Sequence, residues 1–142
     1  MSAPSNKTRV LFLCIGNACR SQMAEGFARK YGADVMIAAS AGLSPAYMIP
    51  ADTLRAMDEK NIDLREHFPK SLKNLGRAQF DLIVNMSGFG LAEEFETPVR
   101  EWPVPDPIGE DHETYCKIRD EIETRVMELI LELRRAAQNP RS

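Results

Sequence analysis

The sequence predicts an α/β fold, a three-layer arrangement in which a parallel sheet carries helices on both faces. Short apolar runs alternate along the chain with segments whose apolar residues recur at helical spacing. Such alternation is typical of parallel strands that are buried on both sides. The 142 residues, 44% of them hydrophobic, suit a single domain with its own core, so we expect residues 1–142 to form one unit.

The first three elements follow from local pattern. Residues 9–13 are apolar after Arg9 and end at a loop, which predicts a buried strand. A helix is predicted over residues 21–31, because apolar residues recur there at helical spacing, and Gly32 ends it. Residues 35–39 are predicted to form the second strand, and residues 40–45 the loop after it.

The middle of the chain continues the alternation. Pro50 suits the first turn of a helix, so we predict a helix over residues 51–60. Residues 80–85 form a third apolar run and are predicted to be a strand. A short helix is predicted at residues 93–95.

Two elements complete the chain. Residues 99–104 predict a weaker fourth strand, and Pro103 and Pro105 place it at the edge of the sheet. Residues 111–137 predict a long helix, since one face is apolar and the other is charged.

Composition narrows the functional classes. The net charge of −3 argues against a nucleic-acid-binding protein, which would normally carry a strongly basic face. Three cysteines are an odd number and give no disulfide framework. Residues 1–8 lack the apolar core of a signal peptide, and no run is long enough to span a membrane. We therefore expect a cytoplasmic protein with no membrane partner.

The segment after the first strand contains the main candidate catalytic residues. Cys14 ends the apolar run, Gly16 and Asn17 suit a tight loop, and Arg20 and Ser21 open the predicted helix. Backbone N–H groups of such a loop, together with a helix N-terminus, bind tetrahedral oxyanions. Arg20 offers a planar fork for two phosphoryl oxygens, and its charge favours a thiolate nucleophile at Cys14. The sequence therefore predicts nucleophilic attack on a bound oxyanion.

Other kinds of loop fit these residues poorly. A nucleotide-binding loop needs Gly-Lys-Ser/Thr, and a dinucleotide fingerprint needs three spaced glycines. Zinc needs more ligands than Cys14 and Cys19 supply, and Cys116 and the two histidines show no ligand spacing in the sequence. We therefore expect no metal and no cofactor. A reversible disulfide between Cys14 and Cys19 and simple packing of Cys19 remain equal alternatives.

Asp106 is the second candidate catalytic residue. It follows the fourth strand, as Cys14 follows the first. Because sites in parallel sheets form beyond the carboxyl ends of the strands, both residues are expected on the same rim. There Asp106 can serve as a general acid toward the leaving group and then as a base toward water.

The run VLFLCIGNACRS over residues 10–21 resembles the low-molecular-weight protein tyrosine phosphatases and the arsenate reductases that share their fold. The resemblance continues through residues 40–42, 61–64 and 80–83 and through Asp106 and Pro107. It implies a fold of the phosphotyrosine protein phosphatase I type, with four parallel strands. It also implies Cys14 as nucleophile, Arg20 as phosphate ligand and Asp106 as general acid.

The resemblance further implies a phosphate-binding loop and a network that holds it. The expected loop contacts to phosphate come from Ile15, Gly16, Asn17, Ala18, Cys19 and Ser21. Ser40 and His67 are expected to brace the loop together with Asn17 and Ser21. Tyr47 is expected to supply an aromatic wall beside the substrate.

The resemblance leaves two activities open. The first is a phosphomonoesterase that acts on a phosphorylated protein or a small phosphoester, with inorganic phosphate as product. The run CRSQMAEG over residues 19–26 looks especially like the arsenate reductases, which makes arsenate reduction the alternative. Relay cysteines after the third strand are absent, so that alternative needs an external thiol. A non-catalytic oxyanion-binding module is a third hypothesis.

Overall fold

The computed structural model describes residues 7–75, 79–91 and 95–138. Their elements follow in the order β1 (Thr8–Cys14), α1 (Arg20–Tyr31), β2 (Met36–Gly42), α2 (Ala51–Asp58), a 3₁₀ helix (Leu72–Leu75), β3 (Leu82–Asn85), β4 (Val99–Glu101) and α3 (His112–Gln138). Strands and α-helices therefore alternate over the first half of the chain, and α3 closes it.

The four strands form one parallel sheet in the order β2-β1-β3-β4. This confirms the predicted sheet. β2 lies on one side of β1, whereas β3 and then β4 lie on its other side, so the strand order reverses at β1. Open α/β sheets place their ligand sites where the strand order reverses in this way. Cys14 ends β1 at that point.

The two faces of the sheet have different covers. The larger core lies between one face and the α-helices, with Phe12 of β1, Phe27 of α1 and Ile130 of α3 all fully buried. On the other face, Leu11 and Ile83 pack under the 3₁₀ helix and the loop residues around it. Among the described segments, no helix combines the length and the apolar character that crossing a bilayer requires.

Several predicted boundaries change. β2 runs through Gly42, so the loop predicted from residue 40 was wrong at its start, because residues 40–42 pair with residues 12–14 of β1. β4 ends at Glu101 rather than residue 104, and α2 ends at Asp58 rather than residue 60. The 3₁₀ helix was not predicted. Of the short helix predicted at residues 93–95, the first two residues lie outside the described residues, and Phe95 is not helical.

Candidate functional site

The loop between β1 and α1 turns its carbonyl groups outward. Cys14, Ile15 and Gly16 accept hydrogen bonds through their carbonyl oxygens from the segment that follows β2. The donors are the N–H groups of Leu43, Ser44 and Ala46, at 3.1, 2.8 and 2.9 Å. Because a peptide carbonyl and the next N–H point in opposite directions, tying the carbonyls outward leaves the N–H groups facing the inside of the loop.

Those inward N–H groups have no protein partner. Within the described part of the chain, the N–H groups of residues 15–19 donate to no backbone or side-chain acceptor. Asn17, in the middle of the loop, has a φ of 52°, the left-handed conformation that Asn tolerates better than most residues. Buried N–H groups without a partner are costly, so this arrangement is suited to an anion that accepts from several of them.

The Cys14 thiol lies at the base of the loop. Its Sγ is 2.8 Å from the Ser21 Oγ, and Asn17 Nδ2 donates to the same oxygen at 2.8 Å. Since Asn17 occupies a lone pair of that oxygen, the Ser21 hydroxyl proton is free to point at the sulfur. Cys14, Asn17 and Ser21 are all buried. The sulfur thus lies at the residue that precedes the loop N–H groups, with a hydrogen-bond donor beside it.

Gln22 extends this network away from the thiol. Its Nε2 donates to Asn17 Oδ1 at 3.1 Å and to the Phe68 carbonyl at 3.1 Å. Its Oε1 is 3.1 Å from His67 Nδ1, so that ring nitrogen carries the proton and donates. Burial lowers the pKa of His67, with the nearby Glu25 opposing the shift. His67 is therefore neutral, and it holds Gln22, which in turn holds Asn17.

Arg20 is held across the rim of the sheet. It is buried, and its NH1 donates to the Met86 carbonyl after β3 and to the Val104 carbonyl after β4, the latter at 3.1 Å. Its NH2 lies 3.8 Å from Asp106 Oδ2. A buried guanidinium with one nitrogen committed to carbonyls is fixed in direction and keeps its charge for an oxyanion.

Asp106 reaches the same rim from the other end of the chain. Its side chain is 44% exposed, and its Oδ1 accepts from the N–H of Ile108 at 3.1 Å, closing a turn around Pro107. The structure therefore places Asp106 beside Arg20, which lies six residues after Cys14 at the start of α1. A carboxyl group that is ordered and open to water is placed where proton transfer to a ligand is geometrically possible.

The Cys19 thiol is buried next to Thr53 and Tyr115. Burial raises the pKa of Cys19 to about 12, the charges of Cys14 and Asp106 raise it further, and hydrogen bonds with Thr53 and Tyr115 oppose the shift. No disulfide links the three cysteines, all of which are free. At neutral pH Cys19 is therefore a thiol packed against α2 and α3.

The mouth of the site carries apolar side chains. Tyr47 is 99% exposed and borders a groove of about 200 Å³ whose opposite side includes His67 and Phe68. Ile15 in the loop and Ile108 after Asp106 are also exposed. The Tyr47 side chain thus lies near the loop but is almost fully exposed. Among the described residues, no contact between Tyr47 and Cys14 is present.

Three residues of this region were missed as site residues from the sequence. Gln22 links Asn17 to His67, and the Lys70 N–H donates to Asn17 Oδ1 at 2.8 Å. Glu25 is buried and accepts from Ser40 Oγ at 2.6 Å, so the expected link of Ser40 to His67 runs through this carboxylate. Gln22 and Glu25 stand in the run CRSQMAEG, the only signal that could have found them.

Comparison with known proteins gives a consistent result. The family described as low molecular weight phosphotyrosine protein phosphatase matches residues 9–139. A glutaredoxin arsenate reductase from Synechocystis sp. is 32% identical over 129 residues, covering 88% of this chain and 98% of that protein.

Solved structures extend the likeness to both kinds of enzyme. An arsenate reductase in the phosphate binding state has a TM-score of 0.78 at 28% identity, covering 89% of this chain and 98% of the other. An arginine phosphatase from Geobacillus stearothermophilus has a TM-score of 0.80 at 25% identity, covering 95% of this chain and 97% of the other.

Proposed function

We propose that this chain, which belongs to the low molecular weight phosphotyrosine protein phosphatase family, is an arsenate reductase that depends on an external thiol. The observation that carries the proposal is the Cys14 thiol at the start of a loop whose N–H groups, those of residues 15–19, have no partner among the described residues. Arsenate is a tetrahedral oxyanion that such a loop can bind. The names of the curated relatives favour arsenate over a phosphoester as substrate.

The first step makes a covalent adduct. The Cys14 sulfur forms a bond to arsenic, and one arsenate oxygen leaves as water. Arg20 and the loop N–H groups hold the remaining oxygens, whose charge they stabilise throughout the step. Asp106, 3.8 Å from Arg20, provides the proton for the departing oxygen. Arsenic is still As(V) in this adduct.

The second step is the reduction. A thiol attacks the sulfur of Cys14, the S–As bond breaks, and its electron pair stays on arsenic, which leaves as As(III) in arsenite. The attacking thiol gives up its proton and remains on the protein as a mixed disulfide with Cys14. A second thiol then attacks the mixed disulfide, which restores Cys14 and releases the oxidised thiol pair.

That attacking thiol comes from outside the chain. Cys19 is a poor candidate, because its pKa of about 12 leaves almost no thiolate at neutral pH. Cys116 belongs to α3 and contacts Glu59 and His112 rather than the loop. These are the other two of the three cysteines in the sequence, and residues 86–98, which follow β3, contain none.

A phosphatase is the second candidate, and Asp106 favours it. The carboxyl group stands on the rim beside Arg20 and is open to water. It could protonate an ester oxygen and then activate water against a cysteinyl phosphate, which would make an external thiol unnecessary. The arginine phosphatase among the structural relatives is consistent with this chemistry. A phosphorylated protein or a small phosphoester would be the substrate.

One paired assay separates these functions. The reduced protein is given arsenate with and without glutathione or a thioredoxin-type carrier, and arsenite is measured. The same preparation is given para-nitrophenyl phosphate. We expect arsenite only when a thiol is added, and none from Cys14→Ser. Asp106→Asn should slow turnover by about tenfold or more, whereas the surface variant Asp58→Asn, whose carboxylate pairs with Arg65, should not.

Two results would contradict the proposal. Rapid hydrolysis of para-nitrophenyl phosphate together with no thiol-dependent arsenite would make the chain a phosphatase. Binding of phosphate or arsenate with turnover of neither substrate would make it a non-catalytic oxyanion-binding module.

A further inference from the structure

A second group of reactive side chains lies between the end of α2 and the start of α3. Among the residues that the structure describes, Glu59, His112 and Cys116 place their ligand atoms within 4.8 Å of one another. Glu59 Oε2 is 2.9 Å from His112 Nε2, and Cys116 Sγ is 3.3 Å from Glu59 Oε1 and 3.4 Å from His112 Nε2. A carboxylate, an imidazole and a thiol therefore converge on one point.

We propose that Glu59, His112 and Cys116 form a binding site for a divalent transition metal, with Zn²⁺ as the best-matched ion. Each of the three donors, a thiolate sulfur, an imidazole nitrogen and a carboxylate oxygen, is an established type of zinc ligand. In a tetrahedral zinc centre with ordinary bond lengths, neighbouring ligand atoms lie about 3.4–3.6 Å apart. The sulfur–nitrogen and sulfur–oxygen separations, 3.4 and 3.3 Å, are within about 0.3 Å of those values, and the nitrogen–oxygen separation of 2.9 Å is about 0.5 Å shorter, so an outward movement of Glu59 and His112 admits the ion.

The arrangement of the ligands is that of a chelate and differs from a catalytic triad. In a triad the imidazole uses one nitrogen toward the thiol and the other toward the carboxylate. Here Nε2 of His112 faces both Cys116 and Glu59. Nδ1 is buried, and no partner for it was found within the described residues. A single nitrogen directed at both other groups is the geometry of donors around a shared ion.

Rigid elements hold the three ligands. His112 and Cys116 are four residues apart on α3, so they share one helix face. Glu59 directly follows α2 and is fixed by Arg119, whose NH1 donates to Glu59 Oε1 at 2.8 Å and to the Ala56 carbonyl at 2.9 Å. The ligands therefore need little ordering when an ion arrives.

The charges of the cluster match a divalent cation. A carboxylate and a thiolate together neutralise Zn²⁺, and the proton of the Cys116 thiol leaves to solvent when the metal binds. Arg119 borders the cluster: its NH1 pairs with Glu59 Oε1 at 2.8 Å, and its NH2 pairs with Asp120 Oδ1 at 2.9 Å. Because His112 Nδ1 lacks the acceptor that usually supports a zinc-bound imidazole, we expect a micromolar rather than a nanomolar dissociation constant.

Three ligands leave a fourth position for water or another donor. The site joins α2 to α3, and the same two helices carry Thr53 and Tyr115, whose side chains contact each other behind Cys19. A bound ion would therefore clamp the helices that support the loop. The expected consequence is a higher thermal unfolding midpoint in the presence of zinc.

The test is a metal titration of the reduced full-length chain. We expect one equivalent of Zn²⁺ by calorimetry, a rise in the unfolding midpoint, and a thiolate-to-cobalt charge-transfer absorption when Co²⁺ is used as a probe. Cys116→Ser and Glu59→Gln should each weaken zinc binding at least about tenfold and the former should abolish the charge-transfer band. Cys14→Ser should leave both signals in place, which excludes the nucleophile as the ligand.

Other outcomes overturn the proposal. Zinc that fails to bind the wild-type chain, or that binds equally well to Cys116→Ser and Glu59→Gln after circular dichroism has shown both to be folded, places no site at this cluster. Loss of the cobalt band in Cys14→Ser instead would assign the metal to the oxyanion loop.

Discussion

Asn17 makes several of the hydrogen bonds that fix the shape of the loop. Its backbone takes a left-handed conformation, its Nδ2 donates to Ser21, and its Oδ1 accepts from Gln22 and from the Lys70 N–H. One side chain thus sets the curvature of the loop, the orientation of the hydroxyl group beside Cys14 and the position of the segment around residue 70.

Asn17→Ala is expected to lose activity strongly while remaining folded. The left-handed backbone costs about 1–2 kcal/mol more for alanine, and each lost hydrogen bond adds about 1 kcal/mol. With three side-chain hydrogen bonds lost, we expect the free energy of unfolding to fall by about 4–5 kcal/mol and kcat to fall at least about tenfold, because the loop N–H groups lose their alignment. Urea unfolding and steady-state kinetics measure the two effects.

Asn61→Ala is the matched control for that prediction. Asn61 has a φ of 60°, nearly the same as Asn17, but it is exposed and lies after α2. Its substitution carries the backbone cost without the hydrogen bonds of the loop. Equal losses of kcat in the two variants would mean that Asn17 contributes only to folding.

The cysteines are expected to differ in reactivity. Because burial raises the pKa of Cys19 to about 12, that thiol stays protonated until far above neutral pH. Iodoacetamide at pH 7.5, followed by peptide mass spectrometry, should modify Cys19 only after unfolding in urea, while Cys14 is alkylated in the native protein. Native Cys14→Ser should show no label on Cys19. Labelling of Cys19 at the rate of Cys14 would contradict its assignment as a buried thiol and revive the disulfide hypothesis.

Local sequence identified the residues that touch the thiol, whereas His67 was expected in the network only from the family resemblance and Gln22 was missed. Cys14, Asn17 and Ser21 lie within eight positions, so their proximity follows from one tight loop. The contact between Gln22 and His67 joins residues 45 positions apart. That contact depends on how the segment after α2 returns to α1, which no local pattern records. For the same reason, the convergence of Glu59 with His112 was not visible.

At the scale of elements, the end of β2 shows why the predicted loop was wrong. Residues 40–42 are small and polar or flexible, which is typical of a turn, yet they continue the ladder beside β1. A Cβ on Gly42 would lie 2.8 Å from the Ile15 carbonyl oxygen and 2.9 Å from the Asn17 nitrogen. The strand therefore reaches the loop because its last residue has no side chain.

Gly42→Ala should displace the oxyanion loop. Contacts below 3.0 Å with backbone atoms have no flexible side chain to relieve them, so the loop must shift. We expect a loss of about 1–3 kcal/mol in the free energy of unfolding and a fall in affinity for inorganic phosphate or arsenate, measured by calorimetry.

Gly90→Ala controls for the general cost of replacing glycine. Apart from its chain neighbours, no heavy atom of the described residues lies within 4 Å of a Cβ built at Gly90, and its φ is not positive. Stability and oxyanion affinity should be close to wild type in this variant. Unchanged oxyanion affinity in Gly42→Ala would show that the loop adapts to the extra methyl group.

For the whole molecule, the order of strands and helices was predictable from the sequence. The layer that packs on the sheet face of Leu11 and Ile83 was not. The alternation of apolar strands with helices is enough to predict a parallel sheet with Cys14 and Asp106 on one rim. The second face is covered by the 3₁₀ helix and by loop side chains such as Phe80 and Phe95, whose packing has no regular period. Sequence patterns report regular elements, so a layer built from loops leaves little signal.

We propose that residues 1–142 fold as one domain, and a single core predicts cooperative unfolding. Trp102, the single tryptophan, is buried against Phe12 with ring centroids 5.9 Å apart, so its fluorescence reports the sheet. Far-ultraviolet circular dichroism is dominated by the helices. The two signals should give the same urea midpoint if the sheet and the helices form one cooperative unit.

Two neighbouring positions on α3 provide a variant and a matched control for this test. Ile130 is fully buried against Gly32 at the end of α1, whereas Leu131 is 44% exposed. Ile130→Ala leaves a cavity in the shared core and should lower the free energy of unfolding by about 2–5 kcal/mol, moving both midpoints together. Leu131→Ala should change it by less than about 1 kcal/mol. Separate midpoints in Ile130→Ala, with the fluorescence transition unchanged, would show that α3 and the sheet unfold independently and that the chain is more than one cooperative unit.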